Sequence, residues 1–342
     1  MISRFRTFLD LAILAGATVA ALLALSGLLG GLVPLLDLVN HFQLLIFLAA
    51  VVGLLASLVW PFLRKDLRHP VQLLLLVPLL CSSSLLLPDL YRRMTISEAS
   101  AESLEARGLQ PLKLMSFNIY LGTWDGDGLA RSIFRHAPEV VNLQEFPPKR
   151  FRRQQDLKKA YPYQANCGYW RTCTLGILSK HPLSDIKHYD LDDGGGRNPL
   201  HGKMLAATIR APGREPVRLY NVHLGWPLPL SVKQTQFQRA EAIIKAEAAK
   251  TPNQLVAGDF NATGWSFAVD GFADDLGFSR RSQFLPTFPS PHSIIKRLSP
   301  PAFLSLDHVL TSPTLSSGPV VRASAELGDH WPILTELYVP KR

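Results

Sequence analysis

From residue 11 to residue 36 the chain carries no charged side chain. A helix of that length can cross the hydrocarbon core of a bilayer, which takes ~20 apolar residues. Two more apolar runs follow at residues 42–63 and 71–87, the last interrupted by Pro78. These runs constrain the fold more than any other feature, because a water-soluble core has little room for three of them. They predict transmembrane helices over about residues 8–36, 42–63 and 71–90. A cleaved signal peptide is the competing explanation for the first run, but its apolar stretch is shorter and two further runs would remain unexplained. A buried helical hairpin is the other alternative.

Lys and Arg near the ends of the runs set an expected orientation. Arg4 and Arg6 precede the first run, and Arg64, Lys65 and Arg68 lie between the second and third. The connection between the first two contains Asp37, Asn40 and His41 but no Lys or Arg. This pattern places the N-terminus in the cytoplasm and, after three spans, the rest of the chain outside it. Arg92 and Arg93, just beyond the third run, oppose that orientation. The expectation is a multi-pass protein of an inner or plasma membrane with an extracytoplasmic C-terminal domain.

Beyond the apolar region the composition changes. The organisation reads as a transmembrane region over residues 1–91, a linker at 92–110 and a mixed soluble domain at 111–342. Residues 95–107 carry Glu98, Glu102 and Glu105 among Ser and Ala, as a solvated helical spacer would. The net charge is +1 over residues 1–110 and +8 over residues 111–342, so the basic excess belongs to the soluble part. It favours an anionic partner such as a phosphate ester, nucleic acid or acidic lipid surface. Lys149, Arg150, Arg152, Arg153, Lys158 and Lys159 are either a solvated helix face or an anion contact. Of the three cysteines, Cys81 lies in an apolar run, while Cys167 and Cys173 flank a turn-rich segment that could close as a disulfide in an oxidising compartment. No Cys/His spacing suggests structural zinc.

Within the soluble part, apolar alternation predicts strands that deliver polar residues at or near their ends. Residues 112–119 deliver Asn118, residues 140–145 deliver Glu145, and residues 218–224 deliver His223. Residues 255–262 carry Asp259 and Asn261, which share a face if that segment is extended. Residues 303–310 carry Asp307 beside His308, and Asp329 and His330 follow Gly328 just before the last predicted strand. Residues 174–179 and 204–209 are further strands, with the Gly194–Gly196 triplet in a loop between them, and residues 234–250 form a helix. Taken one at a time, each site residue reads as an ordinary strand end, a turn or a structural histidine. As a set, carboxylates with Asn oxygens suit a hard divalent ion, and the histidines supply groups that titrate near neutrality. Metal, amide donors and an Asp-oriented histidine are what hydrolysis of a phosphate ester requires.

Six motifs in order, Ser116-Phe117-Asn118-Ile119, Leu143-Gln144-Glu145, Asn221-Val222-His223-Leu224, Gly258-Asp259-Phe260-Asn261, Leu306-Asp307-His308-Val309 and Gly328-Asp329-His330-Trp331-Pro332, resemble those of the endonuclease/exonuclease/phosphatase family. The resemblance, deoxyribonuclease-I-like, runs from about residue 111 to residue 342. It implies an α/β (α+β) four-layer αββα sandwich of two mainly antiparallel sheets with helices outside. It implies Glu145 as the principal metal ligand, aided by Asn118 and Asp329, with Mg2+ or in its place Mn2+. His330 would be the catalytic histidine oriented by Asp307, Asp259 would align or deprotonate water, and Asn261 and His223 would contact the phosphate. Which of Asp259 and His330 is the base stays open. Tyr120 stands where some family nucleases have a carboxylate, and His308 reads as packing. The combined expectation is a membrane-anchored, metal-dependent hydrolase of a phosphodiester, either nucleic acid or phospholipid, with no obligate protein partner evident. A phosphomonoesterase acting on inositol-type phosphates and a non-catalytic membrane binding module on the same fold are the alternatives.

Overall fold

The structure, a computed structural model, describes residues 2–59, 64–95, 101–122, 125–147, 154–167, 173–192, 200–293 and 300–342. It divides into two compact units, residues 1–92 with 265–268, and residues 93–264 with 269–342. The Gly194–Gly196 triplet, Glu98 and the basic residues Lys149, Arg150, Arg152 and Arg153 lie outside the described residues.

The first unit contains α1 (Ile2–Leu28), α2 (Gln43–Val59) and α3 (Lys65–Thr95). Ala17, Ala50, Val71 and Leu75 pack together, while Leu22, Leu32, Val52, Leu55, Leu58, Leu73 and Leu80 remain exposed. Among the described residues, three helices are long and apolar enough to cross a membrane. The predicted first helix is shorter than expected. Beyond Leu28 the chain winds through 3-10 turns at Leu29–Gly31 and Leu36–Phe42, around Gly30, Gly31 and Pro34. The predicted third helix is longer, because each of Pro70, Pro78 and Pro88 removes one donor without ending α3. The polar residues of the first connection turn inward. Asn40 Nδ2 donates to Gly27 O at 3.0 Å and to Asp37 Oδ1 at 2.8 Å. Gln43 Nε2 donates to Asn40 Oδ1 at 3.0 Å, and Ser82 Oγ donates to Gln43 Oε1 at 2.7 Å. Buried polar groups are stable only when so paired.

The second unit begins with α4 (Ala101–Ala106) and β1 (Leu109–Asn118). Then come α5 (Gly126–His136), β2 (Val140–Gln144), α6 (Gln155–Ala160), β3 (Tyr163–Asn166), β4 (Gly176–Ser179) and β5 (Leu183–Asp190). They are followed by β6 (Lys203–Ile209), β7 (Val217–His223), α7 (Leu230–Ala248), β8 (Gln254–Asp259), α8 (Phe267–Leu276) and β9 (Ser279–Arg280). β10 (Asp307–Thr311), β11 (Ser316–Ser317), β12 (Val321–Arg322) and β13 (Ile333–Pro340) complete it. One sheet has the order β11-β13-β1-β2-β4-β3, with β12 on β13; the other has β5-β6-β7-β8-β10-β9. Each is antiparallel except for a single parallel pair, β1 with β2 and β7 with β8. Cys167 and Cys173 are disulfide-bonded, with Cα atoms 5.7 Å apart. The strand predicted at residues 303–310 starts only at Asp307; before it the chain makes an isolated bridge between Phe288 and Leu304.

Alternation along the strands creates the layers. Leu112 and Leu114 of β1, Leu219 of β7, Leu255 and Ala257 of β8 and Val309 of β10 meet between the sheets. Residues of opposite parity face outward: Met115, Phe117, Val141 and Leu143 pack with Leu129, Ile133 and Leu157 of α5 and α6. On the other sheet Tyr220, Val222 and Val256 pack with Phe237, Ile244 and Phe272 of α7 and α8. This is the αββα sandwich, built from a side-chain period of two.

Candidate active site

The inward-facing row of each central strand continues beyond its apolar residues into a polar one. On β1 Leu112 and Leu114 are followed by Ser116 and Asn118; on β7 Leu219 is followed by Asn221 and His223; on β8 Ala257 is followed by Asp259. Asp307 holds the corresponding place on β10. Pairing puts His223 opposite Asp259 and Asp259 opposite Asp307, so these three lie in one row across the sheet. Just below, Gln144 Nε2 donates to Asn221 Oδ1 at 2.8 Å and to Ser116 Oγ at 3.2 Å, bridging the two sheets.

Backbone turns bring in the residues that parity alone would misplace. Glu145 follows β2 in a left-handed conformation, φ 55°, and Asn261 follows β8 at φ 46°. Asp259 and Asn261 are indeed side by side, but not as two positions of one extended strand. Asn261 N donates to Asp259 Oδ1 at 2.7 Å in an Asx turn, and Asn261 Nδ2 reaches Asp259 Oδ2 at 3.2 Å and Leu224 O at 3.0 Å. Gly258 is required by close approach: a Cβ there would stand 2.1 Å from Val222 O.

The carboxylates are linked by one amide. Asn118 Nδ2 donates to Glu145 Oε1 at 3.1 Å and to Asp259 Oδ2 at 3.0 Å, while its Oδ1 accepts from Tyr120 N at 3.1 Å. Thus Asn118 turns its nitrogen, rather than its oxygen, toward the carboxylates. Glu145 Oε2 accepts from Leu121 N at 2.7 Å. His330 Nδ1 stands 2.8 Å from Asp307 Oδ2, which also accepts from Thr287 Oγ1 at 2.5 Å. The other nitrogen of His330 lies 3.8 Å from Asp259 Oδ2. His223 Nε2 lies 3.8 Å from both Glu145 Oε1 and Asp259 Oδ2. His308 faces away, toward Ser282 Oγ, Ala262 O and the Phe260 ring.

Burial and charge separate the titrating groups. Burial alone would lower the His330 imidazole, but Asp307 and Asp259 overcome it and raise it to about 10. His223 is pulled down to about 4 by burial, against the attraction of Asp259. Burial pushes Asp329 up to about 6, with Glu145 and Asp259 adding to the rise and His330 opposing it. These contrasts follow from the usual competition between desolvation and neighbouring charge. They give one charged imidazole and one neutral imidazole in the same site.

Three contributors lay outside the sequence reading. Thr287 comes from a loop and fixes Asp307. Lys233 of α7 is buried and donates to Gly225 O at 2.6 Å and to Phe260 O, tying the segment after β7 to the turn after β8. Burial draws its ammonium down to about 7, with Asp259 opposing. His201 precedes β6 and meets His223 edge-on, with ring centroids 4.5 Å apart. None has a local pattern that marks it, since each arrives from an element distant in sequence.

The donor set fits a divalent cation. Glu145, His201 and His223 offer ligand atoms within 4.8 Å of one another, as do Asp259, Asp307 and His330. Buried Asp329 Oδ1 and Asp307 Oδ1 have no hydrogen-bond partner among the described residues. Such unbalanced oxygens in a carboxylate-rich pocket are suited to a cation.

Comparison with known proteins gives the following. Residues 115–330 match the family described as Endonuclease/Exonuclease/phosphatase family. No curated protein matches the chain by sequence. Sphingomyelinase C from Streptomyces griseocarneus aligns with a TM-score of 0.51 and 18% identity over 66% of this chain and 99% of that one. An endonuclease/exonuclease/phosphatase from Beutenbergia cavernae gives 0.53 and 18%, over 68% and 72% of the two chains. A mannosyl-6-phosphatase from Bacteroides thetaiotaomicron gives 0.50 and 15%, over 66% and 99%. At these identities the likeness is one of fold.

Proposed function

The chain belongs to the endonuclease/exonuclease/phosphatase family, and from that membership we propose that it hydrolyses a phosphodiester, by metal-assisted attack of water, while anchored in a membrane. The observation that carries this reading is the convergence of Glu145, Asn118, His223, Asp259–Asn261 and Asp307–His330 at one end of the inter-sheet space. Glu145 and Asp329 would hold a divalent cation such as Mg2+ or Mn2+, joined by Asn118 once its amide is turned. The cation would supply charge stabilisation on the phosphoryl oxygens. His330, kept charged by Asp307 and Asp259, donates a proton or hydrogen bond to the phosphate or the leaving oxygen. A charged imidazole cannot also accept the proton of water, which leaves Asp259 as the acceptor. The amides Asn118 and Asn261 hold Asp259 in place, and His223 is positioned to contact the phosphate.

Two observations favour a phospholipid over nucleic acid. The apolar helices present their large side chains outward, as helices in lipid do, and would confine the domain near headgroups. Trp226 and Leu228 are exposed only a few residues beyond His223, a pairing suited to a membrane interface. The Cys167–Cys173 disulfide supports an extracytoplasmic domain. A phosphomonoester is the alternative substrate class, consistent with the family's span from a sphingomyelinase to a sugar phosphatase.

The deciding experiment is a substrate screen of the purified full chain with Mg2+ or Mn2+, across liposomes, DNA, RNA and inositol phosphates. Headgroup release that disappears on chelation and in Glu145→Ala is the expected result. Activity that survives either treatment overturns the metal-assisted mechanism, and release of inorganic phosphate alone moves the assignment to a monoesterase. A reporter fused at Arg342 that is active only in the cytoplasm overturns the topology.

A further inference from the structure

We propose that Glu145, His201 and His223 form a site for a transition ion that accepts imidazole as well as carboxylate ligands, such as Zn2+ or Mn2+, distinct in its ligands from an all-oxygen Mg2+ site. One carboxylate oxygen and one nitrogen from each ring lie within 4.8 Å of one another. That spread is somewhat wider than a closed coordination shell, in which ligand–metal distances are about 2.0–2.2 Å, so a modest inward movement of side chains would complete it. The approach of His223 Nε2 to Glu145 Oε1 is already 3.8 Å.

The second, independent observation is the state of His223. Its ring is 1% exposed, and neither ring nitrogen has a hydrogen-bond partner among the described residues. A buried imidazole normally satisfies at least one nitrogen, because leaving such a group unpaired costs about 1–3 kcal/mol. His308 shows the ordinary solution in the same unit, bonding Ser282 through one nitrogen and Ala262 through the other. His223 instead points at the Glu145 and Asp259 carboxylates from 3.8 Å, too far for a hydrogen bond and suitable for a shared cation. Glu145 and His201 are half-buried, which leaves a path for the ion.

The ligand atoms of the neighbouring Asp259, Asp307 and His330 also lie within 4.8 Å of one another. Its chemistry differs. His330 already engages Asp307 at 2.8 Å, and Asp307 is held by Thr287, so that group is an oriented acid–base pair rather than a ligand set. Two imidazoles and one carboxylate are a common three-ligand set for a catalytic transition ion with an open position. Imidazole ligands favour Zn2+ and its neighbours, whereas Mg2+ requires oxygen. His201 is thereby assigned as a ligand for which the strand-end motifs carry no signal.

This inference rests on the proposed function only for what the ion would do there, and its test measures binding. Full-length protein in detergent is loaded with Mn2+ alone and studied by pulsed electron paramagnetic resonance. Two coordinated histidine nitrogens are expected, identified in the wild-type protein by their change on selective 15N-histidine labelling. His201→Ala should remove one of them and weaken Mn2+ binding by about 10–100-fold. Bound Mn2+ with no nitrogen coupling, or a coupling unchanged in His201→Ala, overturns the site. The labelled wild-type protein decides the matter even if the variant fails to fold. Two nitrogens without hydrolysis of any phosphoester would retain the site and reject the function; hydrolysis with no nitrogen coupling would do the reverse.

Discussion

Glu145 owes its place to one backbone angle. A residue directly after β2 would continue the strand, but φ 55° swings the carboxylate to Asn118 and Leu121. An L-residue held there is uncommon and is maintained by the bonds its side chain makes. In the proposed mechanism the chemistry divides between His330, which Asp307 and Asp259 hold in its charged form, and Asp259, which accepts the proton of water. Replacing His330 by Ala should therefore lower kcat by roughly 10²–10⁴-fold, the usual contribution of a positioned acid or base, with little change in KM. Thr287→Val tests the support of Asp307 rather than the chemistry itself. It removes the donor to Asp307 Oδ2 while keeping the volume, and should lower kcat by about tenfold, the lower end of losses from outer-shell partners. Steady-state kinetics on the substrate identified by the screen would check both; an unchanged kcat in either variant contradicts the role given to that residue.

Elements are held in register by features well away from the site. Gly258 lets β8 lie against β7 so closely that a Cβ would collide with Val222 O, and its φ of 148° is itself unfavourable for other residues. Gly258→Ala should destabilise the protein by about 2 kcal/mol or more and disturb the row that aligns His223 with Asp259. Thermal unfolding would register it. On the opposite end of the sheet, Glu247 of α7 receives Arg218 at 2.7 Å, Tyr220 at 3.0 Å and Tyr189 at 2.8 Å, tying the helix to β5 and β7. Burial would raise this carboxyl, but Arg218, Tyr189 and Lys187 lower it from 4.5 to about 2. Because the folded value lies below the unfolded one, its stabilisation is complete above about 4.5 and is lost as pH falls through about 2. Glu247→Gln should lower the melting temperature at neutral pH and reduce its fall with acid over that interval. An identical acid profile in the two proteins would show that the cluster does not contribute.

At the scale of the whole chain, two kinds of core coexist. The first unit packs small and medium side chains inside and shows large apolar ones outside, whereas the second buries its large side chains in three layers of contact. Each cluster of buried apolar side chains lies within one unit. Residues 93–342 should consequently express as a soluble, folded protein that hydrolyses a soluble phosphodiester at a rate close to that of the full chain, yet works poorly on vesicles. Equal rates on vesicles with and without residues 1–92 would remove the tether from the mechanism.

The sequence by itself determined the apolar region and the sandwich, and it singled out eight candidate residues, because each leaves a local mark. Apolar length, alternation with period two and short motifs ending in Asn, Asp, Glu or His are properties of neighbouring residues. It also placed His308 outside the chemistry. What it could not determine depends on contacts between distant segments. The first helix ends at Leu28 rather than near residue 36, because a 3-10 turn there is bonded by Asn40 and Gln43 to partners elsewhere in the unit. Asn118 offers nitrogen to two carboxylates because Tyr120 N–H claims its oxygen. Thr287, Lys233 and His201 reach the site from a loop, a helix and a strand entry that no motif connects. Which residues are candidates for chemistry was written locally; which atoms face each other required the two sheets to close over one another and exclude water.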